Sequence, residues 1–334
     1  MVRVAILDDW QQVAAGCADW SALQGRADPV FFDRHIEGED DLAAALTGFE
    51  IICPMRERTW FTRSLLLRLP QLRLLALTGM GTRHVDIKTC LEQRVLCSGS
   101  GAYSAAQTAE MALALMLAGA RDIVAGDAAI RAGRFQEGTG LGYALEGRTL
   151  GLIGLGKIGT RVAGYARALG MRVLAWSPNL DQARALAADA VLATKRQLLR
   201  DSDVVSLHLV LSESTRGVLG AADLALMKPG ALLVNTARGA LVDEAALLAA
   251  LNSGRLRAAL DVYEREPLPL DHPLRRAPGT VLTPHLGFST EATFRSFYGQ
   301  SVENILAFLN GKPLRVLNAE VLPLLKGINP PANS

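Results

Sequence analysis

Thr149-Leu-Gly-Leu-Ile153 running into Gly154-Leu-Gly156-Lys-Ile-Gly159 is the stretch that decides the fold. Its first half is a short apolar run of the kind that forms a buried strand. Glycines then recur as Gly-x-Gly-x-x-Gly, and residues 157–169 carry a helical pattern that Gly170 closes. Strand, glycine turn and helix in that order are the context in which this motif cradles a dinucleotide. The first glycine permits the tight turn, the second lets backbone approach a pyrophosphate, and the third lets helix and strand pack closely. The amides of Lys157 and Ile158 then face the phosphates at the positive helix end.

Outward from this unit the same alternation continues in both directions. Before it, strands are expected at 2–7, 30–32, 51–53, 72–77 and 95–97, with helices at 41–46, 63–69 and 85–93. After it, strands are expected at 173–176, 203–209, 231–234, 257–262 and 281–283, with helices near 196–200, 221–227, 243–252 and 289–309. The pattern is α/β with mostly parallel sheets. Residues 108–120 are apolar nearly all round, which predicts a buried helix where two domains meet. The tail beyond 309, rich in Leu, Pro and Asn, is expected to wrap onto another surface.

Two domains suit a chain of 334 residues, of which 50% are hydrophobic and 20% charged. A formal net charge of +2, with scattered arginines, gives no electrostatic support for a nucleic acid or an anionic membrane as partner. Residues 111–120 form the longest apolar stretch, too short to span a bilayer, and the N-terminus reads as a strand without a signal-peptide pattern. A cytoplasmic protein is expected. Cys17, Cys53, Cys90 and Cys97 show no metal-ligand spacing, so they read as reduced, mostly buried thiols and no metal is expected.

The strand after the glycine helix ends Val173-Leu-Ala-Trp176-Ser177-Pro178, and Ser177 stands where an acid normally accepts the ribose hydroxyls of NAD. Serine can bond a ribose but does not repel a 2′-phosphate. No arginine follows at once, although Arg184 lies a few residues on. NAD is the preferred cofactor and NADP stays open.

Three later segments each leave a strand. Asn235-Thr236-Ala237-Arg238-Gly239 places Arg238 at the carboxyl edge of the sheet, where its planar fork can hold a carboxylate or polarise a carbonyl. In Asp261-Val-Tyr-Glu-Arg-Glu266-Pro267, Glu266 sits furthest into the loop, Glu264 reads as a solvated charge, and Asp261 suits the nicotinamide amide. In Thr283-Pro-His285-Leu-Gly287, a carboxylate beside His285 would favour the imidazolium and keep it a proton donor. Thr236, Ala237 and Gly287, with Ser177 and Asp261, are the candidate cofactor contacts beside the glycine loop. An anion anchor, a proton donor and a partner for that donor are what hydride transfer to a 2-keto acid requires.

These segments, in their order and spacing, resemble the signature segments of the D-isomer-specific 2-hydroxyacid dehydrogenases over nearly the whole chain. The resemblance implies a Rossmann-type doubly wound sheet, residues 102–287, inserted into a smaller flavodoxin-like α/β substrate domain formed by 1–101 and 288–334. It implies that Arg238 orients the substrate, His285 is the acid/base and Glu266 its partner. Thr78-Gly79-Met80-Gly81 is similar to the family's substrate-carboxylate loop, whose amides, Met80 and Gly81 among them, could form an anion nest. Arg56 matches a position that often faces substrate. A homodimer is also implied, and the apolar helix from Thr108 onward is a candidate for its interface. The expected activity moves a hydride between NAD(P)H and a small 2-keto or D-2-hydroxy acid of glyoxylate, hydroxypyruvate or phosphoglycerate type.

This chain departs from the family at Ser177 and at Thr82-Arg83-His84, where Arg83 and His84 either alter the pocket or face solvent. Formate dehydrogenases share the fold but carry glutamine where Glu266 stands, which argues against that reaction. An NAD(H)-sensing regulator of the same superfamily, without significant turnover, is the rival from another class. A methyltransferase with a similar glycine loop would leave Arg238, Glu266 and His285 unexplained.

Overall fold

A computed structural model describes residues 1–101 and 105–325. The chain divides into two compact units, Met1–Tyr103 with Thr290–Ser334, and Ser104–Ser289. Each unit holds one parallel sheet with helices in its connections, so the chain adopts the expected α/β fold. The expected boundary after residue 101 and the last stretch of the tail, 326–334, lie outside the described residues.

In the unit that holds both chain ends, the strands are β1 (Val2–Ile6), β2 (Ala27–Phe31), β3 (Ile51–Cys53), β4 (Leu74–Leu77) and β5 (Leu96–Gly99). They pair in the order β2-β1-β3-β4-β5, with Val4 opposite both Pro29 and Ile51. Every residue of β3, β4 and β5 is buried, because a parallel sheet covered on both faces has no solvent side to leave polar. Pro29 has no amide to donate, and it sits in β2 at the sheet edge, where that loss breaks no inner ladder. β2 begins at Ala27, earlier than the apolar run suggested, because its backbone pairs with β1 regardless of Asp28 and Pro29. The strand order reverses between β1 and β3, so a ligand crevice belongs outside their carboxyl ends.

Beyond the helix Glu291–Leu309 the tail turns back along β5. Ser98 and Val316 form an antiparallel bridge, and Leu317 N–H donates to Cys97 O at 2.8 Å. The Asn318 side chain accepts from Cys97 N–H and donates to Val95 O. The surface this part of the tail wraps is therefore the outer edge of its own unit's sheet, which it covers.

In the second unit, β6 (Thr149–Ile153), β7 (Arg172–Trp176), β8 (Val191–Leu192), β9 (Val204–Leu207), β10 (Leu232–Asn235), β11 (Arg257–Leu260) and β12 (Thr280–Leu282) form a seven-stranded sheet. Its order is β12-β11-β10-β9-β6-β7-β8, the doubly wound Rossmann arrangement with its reversal at β6. Leu150, Val204, Leu232 and Val234 fill one core of this unit, and Leu174, Val205, Leu207 and Leu233 another. Each fully buried Leu or Val contributes about 1.5–3 kcal/mol, against about 1 kcal/mol for a helix cap. The sheet centre, rather than the caps, holds the strand ends in place.

The helix Ala105–Arg121 packs in this unit against β10, β11 and the helix Lys157–Ala168. Its expected all-round burial is corrected: Ala109, Ala112, Leu115, Met116 and Ala120 are buried, whereas Ala114 is exposed and Leu113 and Leu117 are only half-buried. Alanine falls on the exposed face as well as on the buried one, so the sequence reads more uniformly apolar than the helix packs. A following helix, Ile123–Arg131, has no counterpart in the sequence reading and exposes Ile123, Val124 and Ile130.

Candidate active site

The glycines of the β6 turn meet three different constraints. Gly154 has φ 104°, and a Cβ there would lie 2.7 Å from the carbonyl carbon of His208. A Cβ on Gly159 would collide with the carbonyl oxygen of Gly154. Nothing lies within 4 Å of the corresponding position on Gly156, which is exposed. Two glycines thus serve the chain's approach to itself, and the third leaves an open backbone face at the start of the helix Lys157–Ala168. Lys157 is exposed and Ile158 half-buried at that same end.

Neighbouring strand ends carry two buried polar atoms with no partner among the described residues, Thr236 Oγ1 after β10 and His208 Nδ1 after β9. His208 Nε2 lies 2.9 Å from Ser206 Oγ. Burial pushes the His208 pKa down to about 4, so the ring is neutral at pH 7. Leaving such groups unpaired costs about 1–3 kcal/mol each. The orphaned atoms, together with the open Gly156 face, fit a polar dinucleotide.

Ser177 follows β7 directly, half-buried, and its carbonyl accepts from Leu180 N–H to close a turn. Arg184 is tied to that turn, donating from Nη1 to Asn179 O at 3.1 Å. The turn therefore presents a hydroxyl with a guanidinium held nearby. Ser177→Asp is expected to shift the ratio of NADH to NADPH affinity severalfold or more toward NADH, because a carboxylate repels a 2′-phosphate. Fluorescence titration of both cofactors checks this, and an unchanged ratio would place cofactor choice elsewhere.

Glu266 and His285 come together. Oε2 of Glu266 lies 2.6 Å from Nδ1 of His285, and its Oε1 accepts from Tyr263 N–H at 2.9 Å. Both carboxylate oxygens are thus engaged, which fixes the acid against the ring. His285 itself holds φ 55°, the left-handed region that a bulky residue keeps only when its surroundings impose it. Asp261 imposes it. Fully buried, Asp261 accepts from Thr283 Oγ1 at 2.6 Å, Leu286 N–H at 2.7 Å and Gly287 N–H at 2.7 Å. Burial raises the Asp261 pKa, and these three bonds oppose the shift. The side chain singled out for the nicotinamide amide is thus occupied with bracing the turn that carries His285. Tyr263 adds a bond from its hydroxyl to Thr283 O at 3.0 Å. Glu264 pairs with Arg216 on the surface.

Arg238 is presented by an Asn235 turn. Asn235 Oδ1 accepts from Ala237 N–H, and its Nδ2 donates to Arg238 O. The Arg238 guanidinium donates back to Ala237 O at 2.7 Å. Next to it, Gly239 lies so close to the backbone of Tyr263 and Glu264 that a Cβ would overlap both. The Arg238 turn and the Glu266 loop are in this way locked together. Asn235 signals its role only through its spacing to Ala237 and Arg238, the pattern of an Asx turn. His208, Ser206 and Tyr263 carry no signal in the sequence beyond lying at strand ends.

Arg56, Met80 and Gly81 belong to the other unit. Thr78 Oγ1 donates to Pro54 O and accepts from Arg56 N–H at 2.7 Å. Gly79 N–H donates to Ser100 Oγ at 3.0 Å, while Met80 and Gly81 are exposed. The Arg56 guanidinium packs against Gly79, where a Cβ would strike it. Of the departing pair, Arg83 is exposed, whereas His84 is buried and burial lowers its pKa.

Comparison with known proteins agrees with this architecture. The family model "D-isomer specific 2-hydroxyacid dehydrogenase, NAD binding domain" matches residues 113–287. A glyoxylate reductase of Aeropyrum pernix is 38% identical over 267 residues, covering 77% of this chain and 80% of that protein. A D-3-phosphoglycerate dehydrogenase of Archaeoglobus fulgidus is 34% identical over 288 residues, covering 86% of this chain but only 54% of the longer relative. The crystal structure of a phosphoglycerate oxidoreductase from Vibrio cholerae O395 superimposes with a TM-score of 0.88 at 36% identity, covering 93% of this chain and 99% of that one. The chain belongs to the D-isomer-specific 2-hydroxyacid dehydrogenases.

Proposed function

We propose that the protein reduces a small 2-keto acid to the D-2-hydroxy acid, and runs the reverse reaction, with NAD(H) as the preferred cofactor and NADP(H) as a possible second. Family membership makes it an NAD(P)-linked oxidoreductase of the CH–OH group. The observation that carries the residue assignment is the 2.6 Å pair of Glu266 and His285, held in the same unit as Arg238 through the Gly239 contact.

The amides of Gly156, Lys157 and Ile158 would hold the pyrophosphate, with Gly154 and Gly159 shaping the turn. Ser177, Thr236, Ala237, Asp261 and Gly287 line the neighbouring strand ends. Bound NAD(P)H supplies the hydride to the keto carbon. Arg238 would polarise the carbonyl and steady the carboxylate. His285, with Nδ1 committed to Glu266, would release its proton from Nε2 to the carbonyl oxygen, and Glu266 would offset the imidazolium charge. On the other unit, Arg56 with the amides of Met80 and Gly81 is proposed as a substrate-carboxylate seat.

A panel of glyoxylate, hydroxypyruvate and 3-phosphohydroxypyruvate, each with NADH and NADPH, tests this by loss of cofactor absorbance. Absence of turnover across the panel despite NADH binding would favour the sensor reading. We further propose that the protein is cytoplasmic and a homodimer; the exposed Ile123, Val124, Ile130, Phe135 and Leu141, which follow the helix Ala105–Arg121 in the chain, support the dimer. Among the described residues no helix is long and apolar enough to cross a membrane.

A further inference from the structure

A polar assembly at two strand ends of the unit Met1–Tyr103 with Thr290–Ser334 leads to the proposed carboxylate seat at Arg56, but its Asp8, His35 and Thr59 have no part in the chemistry just described. Asp8 follows β1 and Arg56 follows β3, the strands between which the order reverses. Both are non-glycine residues in the left-handed region, with φ 57° and 54°. Aspartate visits that region more readily than most residues, but an arginine keeps it only where neighbours impose it.

The neighbours are specific. Asp8 is 3% exposed; its Oδ1 lies 2.8 Å from His35 Nδ1, and its Oδ2 accepts from Thr59 Oγ1 at 2.8 Å. Thr59, also buried, ends the segment 54–59 that carries Arg56. At its other end the segment is tied to Thr78 through Pro54 O and Arg56 N–H. His35 is stacked on Trp10, with centroids 6.5 Å apart and planes 20° apart. The charged groups around its ring are Asp8, Glu37 and Arg58. The hydrogen bond that His35 donates to Asp8 is the largest influence and raises the His35 pKa, while burial and Arg58 oppose it.

We propose that the Asp8–His35 pair is a positioning device for substrate binding: the imidazolium holds the Asp8 carboxylate, Asp8 holds Thr59, and Thr59 fixes Arg56 beside the Thr78–Gly81 loop. The inference rests on the reading of that loop as a carboxylate seat. It adds a pH sensitivity that the seat alone does not have. Because the folded pKa of His35 is raised, the charge-assisted bond is complete at lower pH. It weakens as pH rises through that value, leaving an uncharged imidazole as the donor to the Asp8 carboxylate.

Oxamate, a non-reducible 2-keto-acid mimic, is the probe, titrated calorimetrically into the protein–NADH complex from about pH 6 to about pH 9. His35→Ala is expected to weaken oxamate about tenfold at the acid end, the scale of one hydrogen bond to a charged group. The gap should narrow toward the alkaline end, while NADH affinity stays within about twofold throughout. His35→Gln, which can still donate one bond to Asp8, should recover part of the loss. Thr59→Val, nearly isosteric, should bind weakly at every pH and serves if His35→Ala does not fold. A gap that is absent or constant with pH, or an equal loss of NADH affinity, overturns the proposal. Failure of the keto-acid panel with this pH-dependent gap intact would instead sink the assigned reaction and leave the positioning pair standing.

Discussion

His285→Gln is expected to lower kcat/KM for keto-acid reduction by roughly two to four orders of magnitude, the range for removing a general acid–base group, with NADH affinity little changed. Glutamine can fill the space and bond to Glu266, but it has no proton to deliver at neutral pH. The backbone should stay where it is, because the left-handed turn is held from outside the ring. Asp261 accepts from Thr283, Leu286 and Gly287, and Tyr263 donates to Thr283 O. Phe288 meets the ring edge-on with centroids 5.7 Å apart, a packing contact that glutamine partly replaces. Glu266→Gln should cost less, since an amide oxygen can still accept from His285 Nδ1 or from Tyr263 N–H. The double variant should be no slower than His285→Gln alone, because the two groups act as one unit. Steady-state kinetics with fluorescence titration of NADH decide the matter. A rate within threefold or so of the parent for His285→Gln would remove this residue from the chemistry.

What the sequence discloses about this site follows the range of the interactions that build it. The Gly154–Gly159 turn is legible because strand, turn and helix are contiguous and Gly159 is constrained by Gly154 itself, whereas the contact of Gly154 with the backbone of His208, far along the chain, is not. Arg238, Glu266 and His285 are legible as candidates because each follows an apolar run, and parallel strands deliver such residues to one sheet edge. The bracing that makes them a site is not. Asp261 reaches residues 25 and 26 positions ahead, and its place at the strand end marks it as a site residue without disclosing those partners, although Glu264 is the surface charge its place in the loop suggests. The Asp8–His35 pair spans 27 positions, and the Asn318 clamp on β5 spans more than two hundred. The helix Ala105–Arg121 shows the same limit in packing. Its composition announces burial, but which face is buried depends on β10 and β11, strands much later in the chain.

Gly239→Ala is expected to be nearly as damaging as loss of the acid, though it removes no functional group. The methyl would overlap the carbonyl carbon of Tyr263 and the amide nitrogen of Glu264, both backbone atoms that cannot rotate away. One of two segments must move. If the 235–238 turn shifts, Arg238 leaves its place; if the 263–266 loop shifts, Tyr263 N–H no longer fixes Glu266 against His285. A displacement of about 1 Å in such a constellation costs on the order of a hundredfold in rate. The overpacking itself costs about 1–3 kcal/mol, or a fall in Tm of several degrees for a domain of this size. Gly164→Ala is the control. That glycine lies within the helix Lys157–Ala168 with nothing within 4 Å of a new Cβ, so alanine should stabilise by about 0.5–1 kcal/mol and leave turnover alone. The contrast separates close backbone approach from a general intolerance of added methyls. Thermal unfolding and kcat/KM, measured on both variants, read it directly. A Gly239→Ala protein with parental kinetics would mean that the Arg238 and Glu266 segments do not need this contact to act together.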